Sequence, residues 1–148
     1  MFQNVLAATD GSDLATEAVN RAASIARAFN GRLTIVTVVL QGPIVEGLAG
    51  GGAISQSVFD EIRRAKLEQS STVLKKAAEA AGHDARTEMV ECINAYEGIL
   101  DTAKNIGADL IVMGSHSRNP LTRLLLGSQA SKVVNLSEVP VLIVKQES

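Results

Sequence analysis

Short apolar runs alternate along the chain with stretches in which apolar residues recur at helical spacing. The first run covers residues 5–8 and is followed by a helical pattern that Ser12 can cap at its start and residues 30–31 (Asn-Gly) can end. The second run, residues 33–40, is rich in Val, Ile and Thr, which is typical of a buried strand. The opening of the chain therefore predicts a strand–helix–strand unit.

The middle of the chain predicts a loop, a long helix and a polar strand. Residues 41–53 carry five glycines and one proline, which indicates a flexible loop. A helix is expected over about residues 57–81, with Ser57 and Asp60 as its capping box. Residues 86–91 form a weaker and more polar strand pattern, which indicates a sheet edge.

The next part of the chain continues the alternation. Asn94 and Glu97 predict a capping box for a helix that Gly107 ends. Residues 110–113 form a fully apolar strand. A short helix is then expected after Gly127, because a glycine–serine pair precedes a new helical stripe.

The last helix and strand complete the pattern. The helix is expected to turn Ala130, Val133 and Val134 inward. The strand from Val139 to Val144 includes a proline, whose nitrogen cannot donate to a sheet, so this strand is expected at an edge.

The whole pattern predicts an α/β fold in a single domain, residues 1–148. Strands alternate with helices, and the central apolar runs are nearly continuous, as in a parallel sheet buried on both faces. We therefore expect a three-layer sandwich with a five-stranded parallel sheet between helices.

Composition excludes some functions. The net charge of −2 and the 3% of aromatic residues argue against binding to nucleic acid. The single cysteine allows no internal disulfide, the first residues do not resemble a signal peptide, and no apolar run approaches the roughly 18 residues of a membrane span. We expect a cytoplasmic protein that binds neither nucleic acid nor membranes.

Two predicted strand ends carry residues suited to a ligand. In open parallel sheets, ligands bind beyond the carboxyl ends of the strands, where the strand order reverses. One such end is residues 8–12, and the other is residues 113–117, which leads on to residues 127–128 before a helix. Gly114 is expected to allow a turn and a close approach to a ligand, and the helix start attracts an anion. A phosphate chain would fit between these two turns.

The segment of residues 113–128, MGSHSRNPLTRLLLGS, resembles the nucleotide loop of universal stress proteins. ATP-binding members of that family carry G-x2-G-x9-G-[ST]. Gly114, Gly127 and Ser128 fall at matching positions, and Ser117 replaces the middle glycine. The resemblance covers nearly the whole chain, including VLAATDGS, GADLIVMGSHS and VPVLIV. It implies the strand order 3-2-1-4-5.

The resemblance also implies a bound adenine nucleotide, ATP or a product such as AMP, with or without Mg²⁺. Asp10 would lie near the nucleotide, and the backbone of Val38 would meet adenine. If ATP is hydrolysed, Asp10 is also a candidate for an indirect Mg²⁺ contact. The residues expected to bind the nucleotide are Ala8, Thr9, Asp10, Val38, Met113, Gly114, Ser115, His116, Ser117, Arg118, Gly127, Ser128 and Gln129. No catalytic residue and no direct metal ligand is predicted.

The residues themselves leave simpler explanations open. The motif glycines could be turn residues without a ligand, Asp10 could form only an Asx turn, and His116 could be an exposed loop residue. Cys92 is expected to be a partly buried structural thiol. Ser117 either strains a position that favours glycine or donates its hydroxyl to a phosphate.

Three functions stay open from the sequence. The first is a stress-response regulatory module whose adenine nucleotide alters its binding to a protein partner. The second is a nucleotide-free dimeric interaction protein of the same fold. The third and least favoured is a slow Mg²⁺-dependent ATPase, since the chain lacks G-x4-G-K-[ST] and a clear catalytic base. The resemblance implies a homodimer in which the strand from Val139 to Val144 meets its two-fold mate.

Overall fold

The computed structural model describes residues 1–41, 55–82, 84–115 and 125–147. Most of the glycine-rich segment, residues 42–53, lies outside these ranges, so the prediction of a flexible loop there stays a prediction. The elements of the described residues, in chain order, are β1 (Asn4–Ala8), α1 (Asp13–Ala28), β2 (Arg32–Leu40), α2 (Gln56–Ala81), β3 (Arg86–Cys92), α3 (Ala95–Ile106), β4 (Leu110–Gly114), α4 (Ser128–Leu136) and β5 (Val141–Val144).

The strands form one parallel sheet in the order β3-β2-β1-β4-β5. β1 lies at the centre, with Ala8 in register with Val36 of β2 and Ala7 in register with Val112 of β4. The predicted α/β class, the five parallel strands and the order 3-2-1-4-5 are confirmed. The polar strand β3 is an edge, as predicted, and so is β5. β5 begins at Val141, two residues later than expected. Pro140 accepts a hydrogen bond from Ile111 through its carbonyl but has no N–H to donate to the sheet.

Helices cover both faces of the sheet and make it the middle of three layers. Successive side chains of a strand point to opposite faces, so the fully buried Val5 and Leu6 of β1 belong to different cores. Val5 packs in the core under α1 and α2, and Leu6 packs in the core under α3 and α4. Burial of each such side chain contributes roughly 1.5–3 kcal/mol. None of the described helices combines the length and apolarity that a membrane crossing requires.

The starts of α1 and α2 differ in how well the sequence predicts them. The Ser12 hydroxyl accepts from the backbone N–H of Ala15 (3.2 Å) and caps α1 as predicted. The predicted cap of α2 is wrong by two residues. Ser55 caps that helix by accepting from the N–H of Val58 (3.4 Å), and Ser57 lies inside the first turn. Two serines in the same short stretch can each accept from a helix start, and the backbone path selects one of them.

The second pair of helices brings two further corrections. Asn94 holds the N-cap position of α3 without a side-chain cap, and its Nδ2 instead donates to Oε1 of Glu97 (3.2 Å). Gly107 ends α3 in the left-handed conformation (φ 64°), as predicted. In α4, Val133 is fully buried, but Val134 is 42% exposed and does not turn inward. This short helix touches the sheet along one stripe, and the residue after Val133 is rotated away from that stripe.

Candidate functional site

A cavity of about 720 Å³ opens beyond the carboxyl ends of β1, β2 and β4. The chain leaves β1 into α1, on one face of the sheet, and leaves β4 toward α4, on the other face. The strand order therefore reverses between β1 and β4, which is where an open parallel sheet leaves a crevice. The position of the cavity agrees with the expectation from the sequence.

One wall of the cavity is apolar. Val36, Val38 and Leu40 line it from β2, because every second side chain of a strand points to the same face. Ile99 of α3 closes this wall, and Ala8 at the end of β1 contributes to its floor. A largely apolar surface with few polar groups suits an aromatic ring system.

The turn after β1 supplies polar groups to the cavity lining. The Thr9 hydroxyl accepts from the N–H of Gly11 (3.1 Å), and Oδ1 of Asp10 accepts from the N–H of Ser12 (2.9 Å). The Asx turn that the sequence left open for Asp10 is therefore formed, and Asp10 also lines the cavity. Gly11 adopts φ 84°, a conformation that favours glycine. The Thr9 carbonyl accepts from the hydroxyl of Thr37 (2.8 Å), which ties this turn to β2.

At the second strand end, β4 ends at Gly114 as predicted, and this residue has no positive φ. The turn expected after it falls on residues 116–124, outside the described residues, so it stays a prediction. A Cβ at Gly114 would lie 3.1 Å from Cγ of Leu14, so its small size admits α1. The N–H of Gly127 donates to the carbonyl of Ser115 (3.1 Å), and the N–H of Ser115 donates to Val144 (2.9 Å). The first bond holds the start of α4 beside the end of β4, and the second ties Ser115 to the end of β5.

Three helices begin at the cavity. Ser12, Asn94 and Gly127 are the N-cap residues of α1, α3 and α4, and all three line it. A helix start carries partial positive charge and N–H donors, so the arrangement favours an anion. Gln129 connects two of these starts, because its Oε1 accepts from the backbone N–H of Tyr96 in α3 (3.0 Å).

Charged side chains are sparse in the described part of the lining. It contains the carboxylate of Asp10 and no lysine, arginine or histidine. Among the described residues, no group of three or more His, Cys, Asp or Glu side chains could hold a metal ion. An anion placed here would depend on backbone N–H groups and hydroxyls, together with any charge from residues 116–124, which lie outside the described ranges.

Two titratable groups stand near the rim, at the end of β3. Arg63 of α2 donates to both carboxylate oxygens of Glu91 (2.7 and 3.1 Å), and these bonds lower the pKa of Glu91 to about 2, with help from Gln41. Cys92 is half-buried, and burial raises the pKa of its thiol. A raised thiol pKa disfavours the reactive thiolate, which agrees with the expected structural role of Cys92.

The structure brings together most of the residues predicted for the site. Those that line the cavity are Ala8, Thr9, Asp10, Val38, Met113, Gly114, Gly127, Ser128 and Gln129. Ser115 is buried and is not part of the lining. His116, Ser117 and Arg118 lie outside the described residues, so their predicted roles stay predictions.

Sequence reasoning did not assign half of the lining to the nucleotide. Ser12 lay in the strand end 8–12 that the sequence singled out, but it was predicted only as a helix cap. The residues that were missed altogether are Ala15, Val36, Leu40, Ile93, Asn94, Ala95, Ile99 and Ala130. Two signals were available for some of them. The period of two in β2 groups Val36 and Leu40 with Val38, and every helix that follows a parallel strand starts at the ligand-binding edge of the sheet.

Comparison with known proteins identifies relatives over nearly the whole chain. The model of the universal stress protein family matches residues 1–145. The universal stress protein MJ0531 of Methanocaldococcus jannaschii is 36% identical over 146 residues, covering 99% of this chain and 84% of that protein. YxiE of Bacillus subtilis, also a universal stress protein, is 35% identical over 149 residues, covering 98% of this chain and all of that protein. A solved universal stress protein in complex with cAMP is 27% identical, with a TM-score of 0.71 and 99% of each chain covered.

Proposed function

The chain belongs to the universal stress protein family, and from this we propose that it is a regulatory module that binds an adenine nucleotide, ATP or AMP, in the cavity beyond β1 and β4. The observation that carries the proposal is the cavity itself, whose lining combines a row of apolar side chains with the starts of three helices. The relative solved with cAMP supports a nucleotide of this class. We infer that the module acts in the cytoplasm on a regulatory protein partner during stress.

The apolar wall would hold the adenine ring. The N–H of Thr9 donates to the carbonyl of Val36, so the backbone of Val36 faces β1. Two residues further on, Val38 presents its backbone to the same side, but β1 has ended at Ala8. The N–H and carbonyl of Val38 thus face the cavity, where they would pair with the edge of adenine. This supports the contact that the sequence resemblance implied.

The helix starts would hold the phosphates. Gly127 and Ser128 open α4, whose first N–H groups and dipole favour an anion. Asp10, across the cavity, would accept from a ribose hydroxyl or contact Mg²⁺ through water when ATP is bound. This assignment gives the aromatic and the anionic ends of the nucleotide different groups of lining residues.

Ser128→Glu tests the site with little risk to the fold. Ser128 is exposed in the first turn of α4, where a carboxylate suits the helix dipole but repels a phosphate. We expect the wild-type chain to bind ATP, AMP or cAMP in calorimetry and the variant to bind about tenfold or more weakly. Ser57→Glu, in the first turn of α2 and outside the lining, is the matched control and should bind like wild type. Failure of the wild-type chain to bind any adenine nucleotide would refute the proposal.

A nucleotide-free interaction protein of the same fold is the second candidate. The observation that favours it is the contact of Gly114 with Leu14, which accounts for one motif glycine by packing alone. Mass spectrometry of small molecules released from freshly purified protein separates the two candidates. A co-purified adenine nucleotide supports the first, and an empty protein that also fails to bind in calorimetry supports the second.

We also propose that two copies of the chain pair through β5. This strand is a sheet edge, and an apolar edge favours pairing with another chain. Leu142 on β5 is 38% exposed, and Leu136 at the end of α4 is 58% exposed. Light scattering should find a dimer for wild type and a monomer for Leu142→Lys. A wild-type monomer at micromolar concentration would contradict this part of the proposal.

A further inference from the structure

Gln129 links two helices at the cavity wall. It lies in the first turn of α4 and lines the cavity, and its Oε1 accepts from the backbone N–H of Tyr96 in the first turn of α3 (3.0 Å). Asn94, which holds the N-cap position of α3, makes no capping bond with its side chain. Gln129 therefore supplies, from another helix, an acceptor that α3 lacks at its own start.

This bond also fixes the other end of the Gln129 amide. A backbone N–H can only donate, so the amide atom that faces Tyr96 must be the oxygen. The amide group is planar, so the position of Oε1 sets the direction of both Nε2 hydrogens. Nε2 of Gln129 makes no hydrogen bond among the described residues. Every fully buried side-chain nitrogen or oxygen of those residues does have a partner. Nε2 is therefore not fully buried and is accessible to a ligand.

We propose that Gln129 is a specificity-determining residue of the nucleotide site, with Oε1 anchored on Tyr96 and Nε2 donating to a phosphate oxygen. The inference rests on the proposed nucleotide binding and adds the group that distinguishes a nucleotide from a nucleoside. Gln129 follows Ser128 in the first turn of α4, the helix start that would attract the anion. Phosphate oxygens only accept hydrogen bonds, which matches the two donors of Nε2.

The same bond directs the anion toward α4. The N–H of Tyr96 is a helix-start donor that would otherwise be available to a ligand, and Gln129 occupies it. The first turn of α3 thus offers one donor fewer, while the first turn of α4 gains the two donors of Nε2. The side chain consequently has two separable roles, one toward α3 and one toward the phosphate.

Two substitutions separate these roles. Gln129→Glu retains an oxygen that can accept from Tyr96 but removes the Nε2 donors and adds negative charge. Gln129→Met retains the length of the side chain and removes both interactions. Gln69→Glu makes the same change of charge at an exposed residue of α2 outside the lining and serves as the matched control.

The decisive measurement is calorimetric titration of each protein with AMP and with adenosine. Loss of a hydrogen bond to a charged group corresponds to about 10- to 100-fold in affinity. We expect Gln129→Glu and Gln129→Met to lose that much affinity for AMP and far less for adenosine, and Gln69→Glu to match wild type. Hydrogen exchange at the Tyr96 amide should stay slow in Gln129→Glu and become fast in Gln129→Met.

Two further readouts separate contact with phosphate from a structural role. The side-chain amide signals of Gln129 in an NMR spectrum should shift with AMP and not with adenosine. The second readout is the AMP affinity of Gln129→Glu relative to that of wild type at the same pH. This ratio should rise as the pH is lowered, because the protonated carboxyl of Glu regains a donor and loses its charge.

Two results would overturn the inference and leave the proposed function intact. One is equal AMP affinity of Gln129→Glu and wild type, and the other is an unshifted Gln129 amide at saturating AMP. A wild-type chain that binds neither AMP nor any other adenine nucleotide would remove the proposed function and this inference together.

Discussion

Gly98 lies near the start of α3, where the helix presses against the sheet. The residue is buried, and a Cβ built on it would lie 2.8 Å from Cγ2 of Val38 and 3.0 Å from Cγ2 of Val90. Real Cβ atoms essentially never approach other atoms more closely than 3.0 Å. The substitution Gly98→Ala therefore forces α3 away from the sheet or displaces the two valines. Because Val38 lines the cavity, the change also reaches the proposed adenine wall.

The expected magnitude follows from two opposing contributions. Alanine is favoured over glycine inside a helix by about 1 kcal/mol. Overpacking of a filled core costs about 1–3 kcal/mol. Both valines are stiff at χ1 and are held by strands β2 and β3, so relief by side-chain rotation is limited. The overpacking cost should therefore lie near the upper part of its range, about 2–3 kcal/mol, so that Gly98→Ala lowers the free energy of unfolding by about 1–2 kcal/mol and weakens nucleotide binding.

A double-mutant cycle in urea unfolding tests this reasoning. Removal of the Val38 methyl groups relieves the closest contact, so Gly98→Ala should cost about 1 kcal/mol less in a Val38→Ala background than in wild type. Val39→Ala is the matched control, because Val39 points to the other face of β2 and its effect should add to that of Gly98→Ala. The steric explanation would be refuted if Gly98→Ala were as stable as wild type. It would also be refuted if the effects of Gly98→Ala and Val38→Ala on the unfolding free energy were as additive as those of Gly98→Ala and Val39→Ala.

Two further predictions concern the sheet ends. The hydrogen bonds from Arg63 lower the pKa of Glu91 from 4.5 to about 2, so the pair contributes stability that is fully present above about pH 4.5 and is lost as the pH falls through about 2. The melting temperature of Glu91→Gln should therefore depend less on pH than that of wild type between about pH 4.5 and 2. The difference should be small because the pair is partly exposed. A pH dependence equal to that of wild type would contradict this prediction. The Asp109 carboxylate accepts from the backbone N–H groups of residues 3 and 4 (2.7 and 3.1 Å). In urea unfolding, Asp109→Ala should therefore lower the unfolding free energy by about 1–3 kcal/mol. The control Asp101→Ala, at an exposed residue, should change it little. Equal losses for the two aspartates would count against a role for those bonds.

The alternation of apolar runs and helical stripes predicted the class of fold and the succession of elements. It succeeded because each strand of a buried parallel sheet must be apolar on both faces and each helix on one. It failed where neighbouring residues compete for one local role. Ser55 caps α2 in place of Ser57, and Val134 turns to solvent beside the buried Val133. Periodicity resolves such positions only to within a residue or two.

The motif glycines show a different limit. Spacing placed Gly114 and Gly127 at the right edge of the sheet, but it gave no sign that Gly114 also packs beside α1. A Cβ at that position would press against Leu14, a residue far away along the chain. Ser117 lies outside the described residues, so its effect on nucleotide binding stays a prediction that calorimetry can test.

The sequence by itself determined that strands and helices alternate, that the strand ends carry the polar residues, and that the family is that of the universal stress proteins. The tertiary structure alone decided that Ile99 closes the apolar wall and that Gln129 reaches Tyr96 across two helices. The physical reason is that periodicity reports which face of an element is buried, whereas the crossovers between strands set which distant residues meet.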